Sequence, residues 1–121
     1  MFGIYDRKGI AYLTQLRVGL SQLNFHKFQH NFKDTVDALC PISDGIEDTE
    51  HFLLYCDSFK EPRRDLLADV ETVFQANNLN SFSSCNKTEL LLYGHKSLSF
   101  QANRTILELT IAYIFKTGRF N

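Results

Sequence analysis

The sequence predicts an all-α fold, a small bundle of four to six helices. Three observations predict it. Apolar residues recur at steps of three and four, and these runs begin at capping residues and end at glycines. Only two prolines, Pro41 and Pro62, and no Gly/Ser linker or low-complexity tract interrupt the 121 residues, and no repeat is visible. The chain therefore reads as a single domain over 1–121, with a basic helical segment at 1–36, a Cys/His loop at 37–57 and a helical bundle at 58–121. An apolar fraction of 44%, with 13% aromatic residues, is enough for an ordinary core.

Ile10, Leu13, Leu16, Leu20 and Leu23 form the stripe of an amphipathic helix from about Arg7 to Ser21, with Asp6 as its N-cap. Phe25, Phe28 and Phe32 continue the spacing as a second short helix, or as the first one bent near Gly19 to Asn24. The stretch "EDTEHFLLYC" reads as a short helix capped by Asp48 or Thr49, with acids at its positive end. Asp57 or Ser58 can cap the next helix, which tolerates Pro62 in its first turn and carries Leu66, Leu67, Val70, Val73 and Phe74. "NNLNSFSSCN" is a polar loop, and "KTELLLYG" is one or two turns stopped at Gly94. The last segment is apolar on nearly every side between Ile106 and Phe115, which predicts a central buried helix, capped by Ser99 and stopped at Gly118, with Ile106, Leu109, Tyr113 and Ile114 inside.

A net charge of −1 is no signature of a nucleic-acid binder, but the charge is unevenly spread. Arg7, Lys8, Arg17, Lys27 and Lys33 face only two acids between Asp6 and Asp34. From Asp37 to Asp57 there are six acids and no Lys or Arg. Any phosphate contact should therefore come from the N-terminal segment. No stretch approaches the roughly 20 apolar residues that cross a bilayer, and Asp6, Arg7 and Lys8 occupy the place of a signal peptide's apolar run. The expected location is intracellular, nucleus or cytoplasm, without membrane contact. There, three cysteines are free thiols or metal ligands rather than a disulfide framework.

Cys40, His51 and Cys56 have the spacing of a small knuckle-like zinc loop with one donor missing. If Ser43 marks the lost position, the pattern is Cys40-x2-Ser43-x7-His51-x4-Cys56; Ile42 is the alternative. Structural zinc takes four Cys or His donors. On the residues alone, the loop is either a metal site completed by Asp44, Glu47 or water, or a packed loop with buried thiols. A cysteine nucleophile made of Cys56 and His51 is disfavoured, because residues five apart on an α-helix diverge by roughly 140 degrees. His26 and His30 share a helix face, but Lys27 stands where a helical zinc protease has its glutamate. A partly exposed or hydrogen-bonded pair is the expectation.

The run "LTQLRVGLSQLNFHKFQHNFKDTVDALCPISDGIEDTEHFLLYC", then "LLLYG" and "ANRTILELTIAYIFKTGRF", resembles the C-terminal region of non-LTR retrotransposon (jockey-like) endonuclease and reverse transcriptase polyproteins. The resemblance covers almost the whole chain. In that family the loop carries a Cys, Cys, His, Cys set, and Cys40, His51 and Cys56 match three of its positions. The resemblance implies a truncated remnant with a degenerate CCHC knuckle and neither polymerase nor endonuclease motifs, hence no enzyme and no small-molecule substrate. It implies weak, non-specific binding of RNA or single-stranded DNA through Arg7, Lys8, Arg17, Lys27 and Lys33, with no cofactor or weakly bound zinc. The competing expectation is a structural or protein-interaction helical module without a nucleic-acid role.

Overall fold

The computed structural model describes residues 6–19, 21, 23–29, 38–40, 45–77 and 86–120. The expected all-α class holds. Among the described residues there are five α-helices, α1 (Asp6–Val18), α2 (Asn24–Gln29), α3 (Lys60–Ala76), α4 (Lys87–Tyr93) and α5 (Phe100–Thr117), with a one-turn π-helix at His51–Tyr55 and a 3-10 turn at Asp57–Phe59. Helix α1 ends at Val18, before Gly19, rather than at about Ser21, and α2 is a separate short helix, the first of the two alternatives. Asp6 falls inside α1 as its first residue rather than before it as a cap; Phe32, His30, Lys33 and Cys85 lie outside the described residues.

Helix α5 is the centre of the bundle and packs against α3, α1 and α4. Ser99 accepts a hydrogen bond from the Ala102 amide at 3.1 Å, satisfying an orphan donor of the first turn. Gly118 closes the other end in the left-handed conformation. Ile106, Tyr113 and Ile114 are buried as expected, together with Ile111 and Thr110. Leu109 departs from expectation: it lies on the flank of the buried face and is half-buried against the core. Helix α1 crosses α5 at Gly9, where a Cβ would come within 2.4 Å of the Ile111 side chain, so only glycine permits this approach.

Helix starts differ more. The Asn86 side chain caps α4 by accepting from the Glu89 amide at 3.0 Å. Neither Asp57 nor Ser58 caps α3 through its side chain; the chain runs into α3 directly from the 3-10 turn. Asp48, by contrast, takes the role the sequence offers it, with Oδ1 accepting from the His51 amide at 2.8 Å.

Candidate metal centre

The loop is built from two short pieces. Residues 38–40 and 45–47 pair across an antiparallel bridge between Leu39 and Ile46, with Cys40 N donating to Gly45 O and Glu47 N to Ala38 O. Gly45 turns this hairpin with φ +105, a conformation side chains disfavour. A Cβ there would make only ordinary contact with the imidazole, 3.8 Å from His51 Nδ1, so it is the backbone conformation and not space that calls for glycine.

The second piece is the π-turn. Cys56 N donates to His51 O at 2.8 Å, a bond spanning five residues. This wider turn overturns the sequence-based geometry, because i→i+5 bonding stacks a residue over the one five further on, whereas an α-helix splays them apart. His51 and Cys56 consequently share one face. Their donor atoms and the Cys40 sulfur all lie within 4.8 Å of one another. The two sulfurs are 3.8 Å apart. Both cysteines are buried and His51 is half-buried. Ile42, Ser43 and Asp44, the candidates for the lost donor or its substitute, lie outside the described residues.

A one-turn helix leaves its carbonyls without partners of its own, and buried carbonyls need them. Side chains from the bundle supply these partners. Tyr113 of α5 donates to Phe52 O at 2.6 Å, and Arg63 of α3 donates to Leu53 O at 3.2 Å and to Cys56 O. Burial pushes the Tyr113 phenol up to about 12, while Arg63 pulls the other way.

Glu47, one of the acids in the cation-free run, is 1% exposed. Arg119 grips it with both ends of the guanidinium, at 2.8 and 2.6 Å. These hydrogen bonds hold Arg119 above its ordinary range against the cost of burial, and the Cys40 and Cys56 sulfurs favour its charge further. Glu47 is thus committed to Arg119. The sequence left this pair unseen: 72 positions separate its members, and the only hint was an acid run with no cation of its own.

The five cations expected to meet phosphates are placed unequally. Arg7 and Lys8 are exposed on α1, and Lys27 is half-buried on α2 beside the exposed Phe28. Arg17 is engaged elsewhere: it donates to Leu92 O at 2.7 Å at the end of α4 and lies 4.9 Å over the Tyr93 ring, in a groove that also holds Glu50 and Glu89. His26 is a satisfied core histidine. Nδ1 accepts from Ser21 N and meets Ser21 Oγ at 2.7 Å, while Nε2 meets Thr49 Oγ1 at 3.3 Å. Together with Phe25 N donating to Glu47 O, this fastens α2 to the Cys/His loop.

No described helix is long and apolar enough to cross a membrane. Compared with known proteins, the chain matches no family model, no curated protein and no solved structure.

Proposed function

We propose that this chain is a non-catalytic accessory domain of the kind found in the C-terminal regions of non-LTR retrotransposon polyproteins, with a knuckle that has lost one donor and a weak, sequence-independent grip on single-stranded RNA or DNA. One observation carries the reading: Cys40, His51 and Cys56 converge within 4.8 Å although 16 positions separate the outer two. Two Zn–S bonds of about 2.3 Å at a tetrahedral angle place their sulfurs about 3.8 Å apart, the separation found here. The residues present therefore fit zinc at three corners. Bound there, zinc would cross-link the hairpin to the π-turn and supply no chemistry beyond that.

Nucleic acid would lie along α1 and α2. Arg7, Lys8 and Lys27 meet phosphates, with Lys33 as a fourth, and Phe28 offers a ring for a base to stack on. Arg17, held by Leu92 and Tyr93 next to two carboxylates, positions α4 against α1 instead. Fluorescence anisotropy with a labelled oligonucleotide tests this. Three or four contacts predict a log–log salt slope of about −2 to −3, at roughly −0.7 per phosphate, with loss of binding in Arg7→Ala/Lys8→Ala/Lys27→Ala. No binding at tens of micromolar in low salt rejects it.

A second reading, a protein-interaction module, draws on the outer face of the hairpin. Leu39 and Ile46 are about half-exposed side by side. It takes precedence if the oligonucleotide does not bind.

A further inference from the structure

The Cys40 and Cys56 sulfurs face each other in the interior at 3.8 Å, against a bond length of about 2.05 Å in a disulfide. Positions 41–44 are Pro, Ile, Ser and Asp, so the loop offers no third thiol and no second imidazole to complete a full zinc shell around them. A four-donor knuckle shields its sulfurs under metal. Here the pair is one bond's movement from closing on itself.

We propose that Cys40 and Cys56 form a redox-active dithiol that a low-molecular-weight disulfide, of the oxidised glutathione class, converts to an intramolecular disulfide in the folded, metal-free protein. The inference does not depend on nucleic-acid binding. Cys40 is 9% exposed and Cys56 1%, so Cys40 meets the oxidant first. Its sulfur attacks one sulfur of the small disulfide, forming a mixed disulfide and releasing one small thiol. Cys56 then attacks the Cys40 sulfur, forming the internal bond and releasing the second small thiol. Two protein thiols give up two electrons and two protons, and the small disulfide takes up both.

Both cysteines are anchored through the backbone, Cys56 by its amide to His51 and its carbonyl to Arg63, and Cys40 by its amide to Gly45. Metal and disulfide exclude each other at this point, because both use the same two sulfurs.

The full chain, stripped of metal with a chelator, is incubated in glutathione buffers of increasing oxidised fraction, then alkylated, digested and analysed by mass spectrometry. The expected result is paired loss of the Cys40 and Cys56 thiols and a Cys40–Cys56 linked peptide that does not include Cys85. Excess Cd2+ should slow the loss at least about tenfold, since thiolates bind this soft ion strongly. In Cys56→Ser, Cys40 should stop at the mixed disulfide with glutathione. The proposal is overturned if Cys40 and Cys56 both remain alkylatable in the most oxidising buffer, if either links to Cys85 instead, or if the linkage forms only in denaturant. The Cys85→Ser variant, oxidised under the same conditions, must give the same linked peptide.

Discussion

Arg119 holds Glu47 through two hydrogen bonds of 2.6 and 2.8 Å, joining the segment after α5 to the loop between α2 and the π-turn. The carboxylate is almost wholly buried while the guanidinium keeps an exposed edge. Removing the cation strips a desolvated anion of the two charge-assisted hydrogen bonds that hold it. Arg119→Met should therefore cost about 3–5 kcal/mol, and the double variant Glu47→Met/Arg119→Met should recover much of that loss. Urea unfolding of the three proteins measures the asymmetry; equal losses in the single and double variants would contradict it.

Alkaline pH should weaken the fold through Tyr113. Its phenol is raised from 10.0 to about 12, so the folded state holds the proton more tightly than the unfolded chain. The resulting stability is fully present below about pH 10 and is lost as pH rises through about 12, by roughly 2–3 kcal/mol. Tyr113→Phe should lack this alkaline limb while losing about 1–3 kcal/mol at neutral pH, because Phe52 O is left without its donor. Denaturant midpoints between pH 8 and 12 provide the comparison.

In the core, Ile106 is fully buried at the centre of α5. Ile106→Ala should cost about 2–5 kcal/mol, the range for a large side chain deleted from a packed interior. Leu109→Ala, on the flank of the same helix, should cost distinctly less. Thermal unfolding of both variants checks the ranking.

Zinc should bind weakly to the unmodified chain, because a three-donor set gives up much of the apparent 10–16 kcal/mol associated with complete sites. Ser43→Cys, or Ile42→Cys if that position faces the vacant corner, should bind one zinc tightly and raise the melting temperature. Metal analysis after dialysis decides it: stoichiometric zinc in the unmodified protein would mean that another residue already completes the shell.

Much of the fold was legible because helix ends carry local chemistry. Ser99, Gly118 and the apolar run between them marked α5 without reference to the rest of the chain. The donor triplet was legible from spacing, and its closeness follows the hairpin and turn that spacing implied. The shared face of His51 and Cys56 was not, since "HFLLYC" has the same apolar content whether wound as an α- or a π-turn; Tyr113 and Arg63, packed against it from α5 and α3, meet the carbonyls of the wider one. The pairing of Glu47 was hidden for a related reason. A charge run reads as surface until a distant partner is known, and Arg119 lies 72 positions away.

The carbonyls of the π-turn are answered from outside it, by Arg63 and Tyr113. Portability is what such dependence removes. A peptide spanning residues 38–59 would lack both donors as well as Arg119, so the loop should fail as a transplantable module where a self-sufficient knuckle succeeds. Its shape belongs to the bundle, and an alteration in α3 or α5 that never touches sulfur or imidazole should still be felt at Cys40, His51 and Cys56.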